Sequence, residues 1–104
     1  MKHASIIPII KKYTNNLIKH GIPVESVIAF GSQITGAARY GSDIDTCIVS
    51  KSFGHDRHAE RLMLMRYTDK ETSAIEPHPF HPDDLSDTHN FLATEIRKHG
   101  IRVI

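Results

Sequence analysis

Residues 30–45 read FGSQITGAARYGSDID: Gly31 and Ser32, then ten residues, then Asp43 and Asp45 with Ile44 between them. On a strand, residues two apart point to the same face with Cα atoms about 6 to 7 Å apart. Both carboxylates would then share one side, and no basic residue stands within three positions of either. Two such carboxylates repel, and a hard, oxygen-seeking cation such as Mg²⁺ relieves the repulsion.

The flanking residues supply a second function. Val27-Ile28-Ala29-Phe30 is an apolar run with strand character, and Gly31-Ser32 turns from it into a short helical segment. Backbone N–H groups at a strand-to-helix turn, opened by a glycine, form an anion site. A phosphate-holding turn beside a metal-holding strand is the layout that handles a nucleoside triphosphate. Each half alone is less specific. Gly-Ser is also an ordinary turn, and Asp-x-Asp occurs in calcium loops, aspartyl phosphatases and glycosyltransferases. The calcium-loop reading fails because Thr46-Cys47-Ile48-Val49 continues as a buried strand where further oxygen ligands would be needed.

The rest of the chain reads as support. Ser5 caps a helix with Ile6, Ile9, Ile10, Tyr13 and Leu17 on one apolar face, Pro8 falls in its first turn, and Gly21 and Pro23 end it. Residues 24–30 form the first strand and 33–39 a short helix, with Gly36-Ala37-Ala38 allowing close packing. Arg39 either reaches a phosphate or is solvated. Gly41-Ser42 turns into the aspartate-bearing strand, residues 43–50. A helix from about His55 to Tyr67 follows, its Leu62-Met63-Leu64-Met65 block serving as core or as a partner-facing surface. His55 and His58 lack a third ligand nearby and read as an exposed helix start.

The third strand is read as Thr72-Ser73-Ala74-Ile75-Glu76, stopped by Pro77 and Pro79 at the sheet's margin. Glu76 thus ends a strand where an active-site carboxylate would stand. His78, His81, Asp83 and Asp84 near this rim contact substrate or a partner, or simply belong to a surface loop. Asp87 or Thr88 caps a last helix through about His99, with Phe91, Leu92 and Ile96 inward, and Ile101–Ile104 form a final strand. That strand either covers an edge or meets another chain.

Composition bounds the possibilities. A chain of 104 residues is expected to be one domain, residues 1–104. With 13 Lys plus Arg against 12 Asp plus Glu, there is no bulk attraction to nucleic acid. The single cysteine, Cys47, excludes an internal disulfide and reads as a small buried hydrophobe in a reducing cytoplasm. Ile6–Ile10 is too short and interrupted for a signal peptide, and no run approaches the roughly 18 apolar residues of a membrane span. A soluble, cytoplasmic protein is expected.

The GSx10DxD pattern of Gly31, Ser32, Asp43 and Asp45 resembles the signature of the polymerase-β-like nucleotidyltransferase superfamily. The short chain further resembles the minimal nucleotidyltransferase group, whose members often act as antitoxins beside HEPN-type RNase toxins. The resemblance implies an α/β palm-like fold, a small mixed β-sheet with helices packed mainly on one face. It implies that Asp43, Asp45 and Glu76 are the catalytic metal ligands, holding two Mg²⁺ ions about 4 Å apart. Glu76 departs from the aspartate usual at that place. Gly31, Ser32 and Ser42 would bind ATP, the substrate. The implied reaction moves AMP to an acceptor hydroxyl and releases pyrophosphate. No residues are spare for an acceptor-binding domain, so the acceptor is expected on another polypeptide, most simply a HEPN-type toxin adenylylated by its antitoxin. Two alternatives stay open: nucleotidylation of a small molecule, as aminoglycoside-modifying relatives do, and a catalytically silent antitoxin that acts by binding. Homo-oligomerisation is also compatible with the sequence.

Overall fold

The computed structural model describes residues 3–36 and 43–104. Helix α1 spans His3–Lys19, strand β1 Ser26–Phe30, α2 Ser32–Thr35, β2 Ile44–Val49 and α3 Arg57–Met65. They are followed by β3 Ile75–Phe80, α4 Pro82–Leu85, α5 Phe91–His99 and β4 Ile101–Arg102. The strands form one mixed sheet in the order β3-β2-β1-β4. Strand β1 is antiparallel to both β2 and β4, whereas β2 and β3 are parallel and joined through α3. This is the small mixed α/β sheet that the resemblance implies.

Strand alternation divides the core between the two faces of the sheet. On one face Val27, Ala29, Ile44, Ile48 and Ile75 pack with Ile6, Ile10, Tyr13 and Leu17 of α1 and Leu64 of α3. The other face carries Phe30, Cys47, Val49 and Phe80, packed with Ala93 and Ile96 of α5. The larger helical layer, α1 with α3, is therefore on one side, and α4 and α5 cover only part of the other. Two hydrogen bonds tie α1 to the end of α3: the Tyr13 hydroxyl donates to the Leu64 carbonyl at 2.7 Å, and Asn16 Nδ2 to the Tyr67 carbonyl at 2.8 Å.

Helix α1 ends at Gly21 as its sequence predicts. With φ 87°, Gly21 occupies the left-handed region, and Gly21 N–H bonds the Ile18 carbonyl while Ile22 N–H reaches back to that of Leu17. Leu17 and Ile22 both enter the same core, which completes the Schellman stop. Its start differs from expectation: the helix begins at His3, so Ser5 lies inside it and Pro8 stands beyond the first turn. The apolar face, buried at Ile6, Ile10 and Tyr13, overrides the local cap signal.

Four further expectations are corrected. Of the segment read as a helix over 33–39, the described residues form a single turn, Ser32–Thr35, ended by Gly36, which adopts φ 83° and donates to the Ser32 carbonyl. Ala37, Ala38, Arg39, Gly41 and Ser42 lie outside the described residues. The third strand does not stop at Pro77 but begins at Ile75 and runs through both prolines to Phe80. Ile44 N–H bonds the Ala74 carbonyl and Ser50 N–H that of Phe80, so the even-numbered backbone groups of β3 face β2. Pro77 and Pro79 fall on the odd set, at the outer edge, where no ladder donor is required. Finally, α5 is capped by Asn90, whose side chain accepts from Ala93 N–H, and not by Asp87 or Thr88. Phe91, expected inward, is 95% exposed, while Ala93 takes the buried position beside Ile96.

Candidate active site

The site follows from strand register. Asp45 pairs with Phe30 across the antiparallel β1–β2 ladder and with Glu76 across the parallel β2–β3 ladder. His78, two residues beyond Glu76, lies opposite Cys47. Asp45, Glu76 and His78 share the parity of Cys47 and Phe80, so they project from the face that α5 partly covers. All three are half-buried, and one donor atom from each lies within 4.8 Å of the others.

Each side chain is held from outside the cluster. His78 Nε2 is 3.2 Å from Asp45 Oδ1, and the imidazole packs edge-on to Phe30 with ring centroids 5.0 Å apart. Arg61, one turn into α3, sets its guanidinium 2.6 Å from Glu76 Oε1. That ion pair is part-exposed, so it orients Glu76 more than it stabilises the fold. Among the described residues, Arg61 is the partner given to Glu76, and it takes Oε1.

Gly31 closes the other side of Asp45. It has φ 81° and ψ −157°, a region essentially restricted to glycine. A Cβ placed there would lie 2.3 Å from Asp45 Oδ2. The backbone of the Gly-Ser turn is thus pressed against the carboxylate, and its carbonyl accepts from Ile34 and Thr35 N–H at 3.0 and 3.1 Å to start α2. Ser32 is the first residue of that turn and half-buried.

Of the acidic residues singled out in the sequence, the structure brings Asp45 and Glu76 together. Asp43 stands just before β2, exposed, and lines an open hollow of about 280 Å³ with Arg61, Met65 and Glu76. It is not within the Asp45–Glu76–His78 group. The structure adds Arg61, which the sequence did not mark, and gives a definite place to His78, whose role the sequence left open. His81 does not join them: its Nδ1 accepts from Asp83 N–H at 3.0 Å and caps α4. Cys47 is buried behind the cluster, and burial pushes its thiol up to about 12, partly opposed by the Arg57 charge. It is therefore a packing residue and no nucleophile.

Carboxylates on neighbouring strands, part-shielded from solvent, are hard oxygen donors of the kind a divalent cation takes, and the residues fit such an ion. The family model described as nucleotidyltransferase domain matches residues 8–101. Among solved structures, a candidate nucleotidyltransferase from Sulfolobus solfataricus superposes with a TM-score of 0.68 at 16% identity, over 95% of this chain and 79% of that one. A structure described as a toxin-antitoxin with AMP-PNP superposes with a TM-score of 0.56 at 20% identity, over 89% of this chain and 71% of that one. No curated protein matches the sequence.

Proposed function

Because the chain belongs to the nucleotidyltransferase domain family, we propose that it is a protein adenylyltransferase of the antitoxin type, moving AMP from ATP to a hydroxyl of a HEPN-type toxin. The observation that carries this reading is the register of Asp45 with Glu76 across parallel strands, with Gly31 packed on the Asp45 carboxylate. The toxin-antitoxin relative crystallised with AMP-PNP supports a nucleotide and a protein partner.

Asp45 and Glu76, with Asp43 at the rim, would hold divalent cations, Mg²⁺ in the simplest case. Bound there, such ions supply charge neutralisation on the triphosphate and a lowered pKa for the acceptor hydroxyl. Gly31 and Ser32 bring the backbone of the turn close enough for N–H groups to grip phosphate oxygens. Arg61 keeps Glu76 in place while the substrate binds. The acceptor hydroxyl gives up its proton to solvent as its oxygen attacks the α-phosphorus in line, the bond from that phosphorus to the bridging oxygen breaks, and pyrophosphate leaves with the electron pair. The protein works in the cytoplasm, where ATP and the partner are available. Incubating the purified chain with radiolabelled ATP, Mg²⁺ and a HEPN-type partner should label the partner. An unlabelled partner would overturn the reading, and Asp45→Ala should abolish the label.

A further inference from the structure

We propose that His78 is a direct nitrogen ligand of the ion held by Asp45 and Glu76, so that this site prefers Mn²⁺, and other cations that accept imidazole, to Mg²⁺. The inference rests on the reading that those carboxylates bind a metal.

An octahedral ion with bonds of about 2.1 Å sets adjacent donors about 3 Å apart. Nε2 of His78 and Oδ1 of Asp45 are separated by 3.2 Å, already the edge of such a coordination sphere. The third donor, from Glu76, lies within 4.8 Å of both. Arg61 pairs with Glu76 Oε1 and, among the described residues, makes no contact with the second oxygen. The imidazole is not free to swing away: its side chain is 14% exposed, and its ring is packed against Phe30 on a strand paired with β2. Two carboxylates alone would match Mg²⁺ well, but nitrogen from a neutral imidazole is a softer donor that strengthens binding of Mn²⁺, Co²⁺ and Zn²⁺ relative to Mg²⁺. His78 thus adds selectivity to a site that oxygen ligands alone leave permissive.

The test uses the full chain with Mn²⁺ as the paramagnetic probe and needs no turnover. Electron spin-echo modulation of bound Mn²⁺ should show one directly coordinated ¹⁴N in the wild-type protein, changing to the ¹⁵N pattern after labelling with [¹⁵N]histidine. His78→Gln should remove the nitrogen signal and weaken Mn²⁺ binding by at least about tenfold, the lower end of what disturbing a metal's surroundings costs, while Mg²⁺ binding changes less. If His78→Gln does not fold, His78→Asn takes its place. Bound Mn²⁺ without a nitrogen signal in the wild type would overturn the inference and leave the carboxylate site standing, as would a nitrogen signal that persists in the folded variant. No bound Mn²⁺ at all would overturn both the inference and the metal-dependent function.

Discussion

Gly31 is held by two requirements at once, a backbone conformation open to glycine and the absence of a side chain against Asp45 Oδ2. Gly31→Ala should therefore lower stability by about 1–3 kcal/mol, read from urea midpoints. It should also reduce nucleotidyl transfer at least about a hundredfold, since displacing the carboxylate disturbs charge stabilisation worth several kcal/mol. Arg61→Ala tests a milder dependence: Glu76 loses its partner, so transfer should fall while the thermal midpoint shifts little, as expected of a part-exposed pair. At this scale the sequence was partly legible. The spacing of Gly31, Ser32, Asp43 and Asp45 carried the phosphate-and-metal reading in a few residues. His78 could not be assigned, because its neighbour Asp45 is 33 positions away and the two meet only through strand register.

Among the elements, β3 shows where local signals mislead. Pro77 and Pro79 look like stop signals because proline cannot donate to a ladder, yet at an outer edge with the right parity the missing donors cost nothing. The strand continues, and that extension places His78 opposite Cys47 beside the site. The same parity leaves the outer edge without donors at both positions, which blocks pairing with another strand. Replacing both prolines with threonine should restore two donors there and promote self-association, measured by light scattering across a concentration series. Scattering unchanged from that of the wild type would count against this account of the edge. Helix α5 gives a second instance. Phe91 invited an inward placement on hydrophobicity alone, but the Asn90 cap sets the helix phase so that Ala93 and Ile96 face the sheet. Asn90→Ala should cost about 1 kcal/mol in a denaturation measurement.

For the whole molecule, two buried groups make stability depend on alkaline pH. Burial pushes the Cys47 thiol from 9.0 to about 12 and likewise raises the Tyr13 hydroxyl above its usual 10.0. The unfolded chain therefore loses these protons first and binds fewer of them above pH 9. Stability should be unaffected by these groups below pH 9 and fall as pH rises toward 12, by up to about 1.4 kcal/mol per pH unit for each group once its unfolded form has ionised. Urea midpoints at pH 8 and pH 10.5 measure this, and Cys47→Ala should flatten part of the slope. The order of elements was legible because long apolar periodicities, as in α1, report burial directly. The division of the core between two faces was not, since it depends on how β1, β2 and β3 pair over long separations.

The double constraint at Gly31 also has a historical meaning. In a descendant that has given up the chemistry and lost Asp45, the steric conflict disappears but the backbone requirement does not. Glycine would then persist at position 31 as a remnant of the turn. A lineage that replaces both residues has rebuilt the junction between β1 and α2, so the pair distinguishes a silenced site from a remodelled one.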